Sequence, residues 1–375
     1  MVYNVYFHPL SKFPGPKLWA ATKIPYVNSL LAGRLPHDVF WLHRTYGPVV
    51  RTGPDEISYS SAEAWKDIYG HQSKLAKSET FYVRNYDIIN ANDADHARYR
   101  RLFSHSFSEK ALRDQQALMK VYIDLLIQRL HEQCKHGNRT VDMVSWYNWT
   151  TFDMIGDLAY GEPFGCLEKA VHHPWVDWIV DNIKGTHWLA AAKHIPWLAW
   201  YYHWIEPKKV MQQRMVHIQL AVEKANKRLA NKTQRPDFMT HVISMSGTEQ
   251  GMTDDEIRTN ANILISAGSE TTATALCGVT YYLLRSPEAL KRLTDEIRTA
   301  FPGPESEIDM NTTSGLKYLH AVLEESLRLY PPVSTGLPRV VGEGGKVIAD
   351  AWVPEKVGPP RVSTSRMANG IEACC

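Results

Sequence analysis

The sequence lacks paired cysteines, which argues against two kinds of small structural framework. Its 375 residues contain five cysteines and no Cys-x-x-Cys pair. A structural zinc site normally uses such pairs and a disulfide scaffold uses an even set of cysteines, so we expect neither. The cysteine pattern therefore suits a reducing compartment or its membrane surface. The five are Cys134, Cys166, Cys277, Cys374 and Cys375.

Long apolar runs and a strong net charge are also missing. No stretch reaches the roughly 18 consecutive apolar residues of a transmembrane helix, so we expect no encoded membrane anchor. Residues 1–16 are too short and too polar for a signal peptide. The formal net charge of +2 argues against a nucleic-acid partner. No internal repeat or low-complexity segment occurs.

The composition is that of a globular protein with a large core, because 44% of residues are hydrophobic and 22% are charged. Apolar spacing is mostly helical between residues 95 and 246. Short strands are predicted within Val49–Ser61, and again in the RVVG and KVIAD segments after residue 338. We therefore predict a mainly α fold with a minor β region.

The second half of the chain carries strong helix boundary signals. Thr253 and Glu256 form a capping-box pattern that opens a long helix reaching about Arg285. Pro287 then begins a second helix, which ends at Pro302-Gly303. A third helix is predicted over 316–330, where Pro331-Pro332 stops it.

The long helix contains an unusual polar insertion, Ala267-Gly268-Ser269-Glu270-Thr271-Thr272. A glycine costs about 1 kcal/mol in a helix relative to alanine, and threonine hydroxyls can bond back to a carbonyl and bend the helix. The pattern is compatible with a local opening that holds a small diatomic ligand beside an acid and an alcohol. It is equally compatible with a solvent-facing polar stripe and a tolerated glycine.

The third helix contains Glu325-x-x-Arg328, an acid and a guanidinium one turn apart. Such pairs are abundant on protein surfaces and contribute little there. Leucines flank this pair, and the helix runs directly into Pro331-Pro332. We therefore predict a buried, paired arginine that acts as a structural lock.

These motifs together resemble the cytochrome P450 haem-thiolate monooxygenases, in particular their filamentous-fungal microsomal members. The order and spacing of the matches make the resemblance specific, and the matches span residues 3 to 355. Tyr6–Leu10 with Phe13–Pro16 is similar to the hinge after a membrane anchor, His96–Arg101 to the C helix, and Phe152–Gly161 to the helix E region. Arg235–Phe238 is similar to the approach to the I helix, and Ala267–Thr272 to the I helix itself. Glu325–Arg328 is similar to the K helix, and Pro331–Arg339 to the segment after it.

The resemblance implies a role for each matching residue. Thr271 would help deliver protons to dioxygen, with Glu270 as its acidic neighbour, and Ala267 and Gly268 would let dioxygen and substrate approach the haem. Haem propionates would be bound by His96, Arg100 and Arg339. The alternative for His96 and Arg100 is an exposed charged helix face. Glu325 and Arg328 would be structural.

The resemblance also implies the reactants. They are haem b, dioxygen, an apolar small molecule, and electrons from NADPH through NADPH-cytochrome P450 reductase. The implied location is the cytoplasmic face of the endoplasmic reticulum membrane. The expected activity is insertion of one oxygen atom, in fungal secondary metabolism or detoxification. The alternatives are a catalytically inactive haem-free fragment and a reductase-independent haem enzyme that catalyses a rearrangement or dehydration.

Two further features are open to interpretation. Six tryptophans lie between residues 175 and 204, together with lysines and tyrosines. This pattern suits either a membrane interface or a tryptophan-rich core. The resemblance implies that the segment caps the substrate channel. His172-His173 is not expected to bind a metal, because adjacent residues point in different directions on a helix. The tryptophans are Trp175, Trp178, Trp188, Trp197, Trp200 and Trp204.

The resemblance stops near residue 355. The family's haem iron is held by a cysteine in a Phe-x-x-Gly-x-Arg-x-Cys loop, and that loop is not found. Cys374 is a poor candidate, since Glu372 and Met367 replace the expected Arg and Phe. We therefore expect a proline-rich hinge at 1–16 after a missing anchor, a partial P450 domain at 17–355 that is incomplete at its C-terminus, and a non-family tail at 356–375 from a gene-model artefact.

Overall fold

The structure is a computed structural model, and it divides into two compact units. It describes residues 1–79, 81–82, 85–134, 139–173, 175, 188, 190–195, 208–231, 233–304, 307–355 and 361–362. One unit comprises residues 1–83, 181–207 and 333–375, and the other comprises residues 84–180 and 208–332.

The first unit combines short helices with small sheets. The elements are α1 Val2–Tyr6, α2 Lys17–Ala21, α3 Ile24–Leu31, α4 Leu35–Tyr46, α5 Ala62–Tyr69, β1 Val49–Gly53, β2 Glu56–Tyr59, β3 Ala76–Lys77, β4 Arg339–Val340, β5 Lys346–Ile348, β6 Ala351–Val353 and β7 Arg361–Val362. Strands β1, β2 and β7 form one sheet, in which β1 and β2 are antiparallel and β7 is parallel to β2. Strands β3 and β4 form an antiparallel pair, as do β5 and β6.

In its described part, the second unit contains helices joined by loops and no strand. Its largest hydrophobic cluster joins most of these helices and includes Tyr99, Phe152 and Ile265. The elements are α6 Asp93–Ser106, α7 Glu109–Cys134, α8 Met143–Tyr160, α9 Cys166–Lys169, α10 Lys208–Ala230, α11 Thr240–Ser244, α12 Asp254–Arg285, α13 Pro287–Ala300, α14 Met310–Thr313 and α15 Lys317–Leu329.

Helix α12 begins as its sequence predicts. The Thr253 side chain accepts a hydrogen bond from the Glu256 backbone N–H, and the Glu256 carboxylate accepts one from the Thr253 N–H. This reciprocal cap satisfies two donors that a helix N-terminus otherwise leaves without partners. The predicted starts and stops of α13 and α15 are confirmed to within a residue or two.

A buried charge cluster joins α8 and α10 to the segment before α12. Asp237 forms an ion pair with Arg228, with 2.9 Å between the Arg228 Nη2 and the Asp237 Oδ2. Arg235 forms ion pairs with both Asp237 and Asp157. Asp237 also accepts hydrogen bonds from the backbone N–H groups of Met239 and Thr240.

The prediction of a mainly α fold with a minor β region is confirmed. In the described residues, none of the helices is long and apolar enough to cross a membrane.

Candidate functional site

The polar insertion lies in an uninterrupted stretch of α12. The Thr271 hydroxyl donates to the Ala267 carbonyl oxygen at 2.6 Å, and the Ser269 hydroxyl donates to the Ile265 carbonyl oxygen at 2.8 Å. The hydroxyls thus bond to carbonyl oxygens of the preceding turn. Of the two interpretations of this pattern, the local opening is not seen, since α12 is continuous through the polar insertion.

Ala267 and Thr272 are exposed, and Glu270 and Thr271 are half-buried. Partial burial raises the pKa of the Glu270 carboxyl group above its ordinary value. Across the described part of the chain, Glu270 has no hydrogen-bond or ion-pair partner. A carboxyl group with these properties can hold a proton closer to neutral pH than an exposed glutamate can.

Gly268 faces α8 rather than open space. A Cβ at this position would lie 2.8 Å from Cδ1 and 3.0 Å from Cγ1 of Ile155. The glycine therefore allows α12 and α8 to pack closely at the level of the polar insertion. This contact gives Gly268 a packing role that the sequence did not predict.

Helix α6 carries two of the predicted haem-propionate residues, His96 and Arg100, four residues apart on one face. Arg100 is exposed and has no ion-pair partner within the described ranges, while His96 is half-buried. Arg98 is oriented differently, since it bonds to Glu256 and to the Gly251 carbonyl oxygen. Arg100 is thus a cation available to an anionic ligand.

In the first unit, Arg339 lies against two tyrosines. Its guanidinium carbon is 5.3 Å from the ring centre of Tyr69 and 5.5 Å from that of Tyr82. Its Nη1 donates to the Tyr82 hydroxyl at 2.7 Å. No carboxylate of the described residues pairs with it, so these contacts orient the cation and leave its charge available.

The pair predicted on α15 is present. Arg328 donates from Nε and Nη2 to the two oxygens of Glu325, at 2.7 and 2.6 Å. These bonds lower the pKa of the Glu325 carboxyl group. The prediction of a buried arginine is wrong, because the side chains of Arg328 and Glu325 are 31% and 55% exposed. The pair is partly exposed, so its proposed locking role gains no support from burial.

A second cluster was missed by sequence reasoning. The Glu256 carboxylate accepts hydrogen bonds from Arg98 and from the Tyr99 hydroxyl, at 2.6 and 2.7 Å to one oxygen. Burial alone raises the pKa of Glu256, but the hydrogen bonds from Arg98, Tyr99 and the Thr253 N–H bring it to about 2. The cluster fixes α6 to the first turn of α12. The capping box identified Glu256, but nothing local identified its distant partner.

The described residues contain no group of three or more His, Cys, Asp or Glu side chains that could hold a metal ion. His172 packs against Trp149, and His173 accepts a hydrogen bond from the Trp175 backbone N–H. Each histidine thus has a structural contact with a tryptophan residue. Cys374 lies outside the described residues.

Two of the six tryptophans can be compared with the prediction. Trp175 is 2% exposed and belongs to the core, whereas Trp188 is 48% exposed. The burial of Trp175 fits a tryptophan-rich core, and the exposure of Trp188 fits a membrane interface. Trp178, Trp197, Trp200 and Trp204 lie outside the described residues.

Comparisons with known proteins agree on one family. Residues 14–356 match the family model described as Cytochrome P450. The chain is 42% identical over 367 residues to cytochrome P450 monooxygenase efuB of Hormonema carpetanum, an alignment covering 95% of this chain and 72% of that protein.

Two other relatives have names that state an activity. The chain is 42% identical over 356 residues to averantin hydroxylase of Dothistroma septosporum, covering 94% of this chain and 67% of that protein. It is 41% identical over 365 residues to trichothecene C-15 hydroxylase of Fusarium sporotrichioides, covering 95% and 73%.

Proposed function

The chain belongs to the cytochrome P450 family of monooxygenases, and on that premise we propose that it hydroxylates an apolar small molecule in fungal secondary metabolism. In this reaction a substrate C–H becomes C–OH, and the second oxygen atom of dioxygen leaves as water. Two protons and two electrons are consumed, the electrons coming from NADPH through NADPH-cytochrome P450 reductase. The observation that carries the proposal is the half-buried Glu270-Thr271 pair on a continuous α12.

Each unit contains an arginine that fits a carboxylate such as a haem propionate. In the second unit, Arg100 is an exposed guanidinium without an acidic partner within the described ranges. In the first unit, Arg339 is oriented by two tyrosines. Guanidinium groups bind carboxylates through charge-assisted hydrogen bonds. His96 lies one turn from Arg100 on the same face. When bound, haem supplies the redox-active iron, and the protein supplies orientation and protons.

The proton-handling residues are Glu270 and Thr271. Burial raises the pKa of the Glu270 carboxyl group, so at a given pH a larger fraction of it is protonated than in an exposed glutamate. The Thr271 hydroxyl now donates to the Ala267 carbonyl oxygen, and its own oxygen stays able to accept a hydrogen bond. Rotation away from Ala267 would let Thr271 donate a proton toward the exposed side of α12.

Membrane association is a further part of the proposal. The N-terminal residues Met1, Tyr3 and Phe7 are 76%, 59% and 71% exposed. Lys17 lies 5.8 Å from the ring centre of Tyr6. Exposed aromatic residues beside lysines favour the interface of a lipid bilayer. We place the protein on the cytoplasmic face of the endoplasmic reticulum membrane.

A reduced-minus-oxidised spectrum under carbon monoxide tests the proposal. The chain is expressed with a haem precursor, and a thiolate-type Soret band would refute the inactive-fragment alternative. Reconstitution with NADPH-cytochrome P450 reductase and a panel that includes averantin and a trichothecene should then give hydroxylated product. Absence of haem would support the inactive-fragment alternative. Haem-dependent conversion that needs no NADPH would support the rearrangement alternative.

A further inference from the structure

Asn260 is a fully buried amide on α12 whose polar atoms are all used. Its Oδ1 accepts a hydrogen bond from the Ile88 backbone N–H at 2.8 Å. Its Nδ2 donates to the Tyr86 carbonyl oxygen at 2.9 Å and to the Glu256 carbonyl oxygen at 2.8 Å. Two of these three bonds reach a loop more than 170 residues earlier in the chain. A buried amide with this arrangement joins the loop to the helix.

The loop in question, residues 86–91, is braced internally by Asp87. The Asp87 Oδ1 accepts hydrogen bonds from the backbone N–H groups of Ile89 and Asn90, both at 2.9 Å. The Asn90 side chain donates to both Asp87 oxygens. The loop is therefore a preformed turn, and Asn260 provides the side-chain hydrogen bonds that attach it to α12.

Asn260 shares a helical face with the candidate oxygen-activation residues. Positions 260, 264, 267 and 271 follow the spacing of three and four that places side chains on one face. At 1.5 Å per residue, Asn260 and Thr271 are separated by ~16 Å along the helix axis. The 86–91 loop is thus attached at one end of the face on which Ala267 and Thr271 lie.

We propose that Asn260 is a positioning residue that sets which apolar ligands the site accepts, by holding the 86–91 loop at the end of this face. The inference rests on the proposed function. Tyr86 and Ile89 are 64% and 40% exposed, so they offer apolar surface to a ligand that extends along the face. A short ligand beside Thr271 would not reach them, whereas a long one would.

The attachment is tested by hydrogen–deuterium exchange in Asn260→Ala. The backbone N–H of Ile88 loses its acceptor, so exchange in the peptide covering 85–91 should rise at least tenfold. Asn262→Ala is the matched control, because Asn262 is on the same helix and its Oδ1 has no partner in the described residues. Unchanged exchange in Asn260→Ala would overturn the proposal.

The effect on specificity is tested with two ligands of different length, imidazole and 1-dodecylimidazole, by titration calorimetry. In Asn260→Ala the dissociation constant should rise at least fivefold for 1-dodecylimidazole and stay within twofold for imidazole. Asn262→Ala should change neither. Equal weakening of both ligands, or of neither, would overturn the positioning role.

Two outcomes separate this inference from the proposed function. If the unmutated protein binds neither ligand, the proposed function has failed and the inference with it. If it binds both without the length-dependent loss in Asn260→Ala, only the inference has failed. Should Asn260→Ala not fold, Asn260→Asp decides, because it keeps the acceptor for Ile88 and loses the donors to the Tyr86 and Glu256 carbonyl oxygens. It should give a smaller loss in the same direction.

Discussion

Gly268 of α12 lies against Ile155 of α8, so close that a Cβ at position 268 would be 2.8 Å from the Ile155 Cδ1. Close packing of this kind tolerates no added methyl group unless a neighbour moves. The glycine in the polar insertion therefore couples two helices of the core.

Gly268→Ala should destabilise the protein by about 1 kcal/mol, since the steric cost exceeds the gain in helix propensity. In an Ile155→Ala background the same change should be neutral or stabilising, because the two closest Ile155 atoms are gone. Urea unfolding of the four proteins measures the coupling, which we expect to be about 1–2 kcal/mol. Strict additivity would show that the two residues do not meet.

Glu256 should make stability depend on pH in acid. Its folded pKa of about 2 lies below its ordinary value of 4.5. A depressed carboxyl pKa stabilises the fold above the unfolded value, and this stabilisation is lost as pH falls through 4.5 toward 2. Glu256→Gln should therefore cost on the order of 2 kcal/mol at pH 7 and much less at pH 3.

The control for that comparison is Glu249→Gln, since Glu249 is exposed and has no partner in the described part of the chain. Urea unfolding at both pH values gives the free energies. A pH-independent difference between Glu256→Gln and the unmutated protein would rule out the linkage.

The Arg228–Asp237 pair should be far more important to stability than the surface pair of Lys227 and Glu162. The side chains of Arg228 and Asp237 are 5% and 0% exposed, and that of Lys227 is 70% exposed. Asp237→Asn leaves a buried guanidinium poorly compensated and should cost about 3 kcal/mol. Lys227→Ala should cost less than about 0.5 kcal/mol. Thermal unfolding of the two variants checks the ranking, and similar losses would contradict it.

Arg100 should contribute to retention of haem. Arg100→Ala removes an available cation from α6 and should lower the haem-to-protein ratio after purification severalfold. Arg101→Ala is the matched control, because Arg101 is also exposed and is the adjacent residue. A pyridine haemochrome assay gives the ratio. Equal ratios for the two variants would indicate that Arg100 belongs to an ordinary charged surface.

Sequence alone predicted those features that depend on neighbours in the chain. The capping box at Thr253, the helix start at Pro287 and the stop at Pro331 follow from local hydrogen bonding and from the fixed geometry of proline. The pairing of Glu325 with Arg328 also follows from helical spacing, but its exposure does not, because exposure depends on what packs against α15.

Features that depend on distant contacts could not be predicted. Arg98 lies within the matched segment His96–Arg101, but its partner Glu256 is 158 residues away along the chain. Gly268 was interpreted through the polar residues beside it, although its contact is with Ile155 on another helix. Asn260 has no neighbouring motif that marks it. In each case the deciding contact is tertiary.

The most direct test of the proposed oxygen-activation site is the coupling of Thr271→Ala, measured as product formed and hydrogen peroxide released per dioxygen consumed. Thr272→Ala is the matched control, because Thr272 is the adjacent, exposed threonine. The proton-delivery role predicts that Thr271→Ala keeps consuming dioxygen but diverts most of it to hydrogen peroxide, while Thr272→Ala stays coupled. Unchanged coupling in Thr271→Ala would contradict that role.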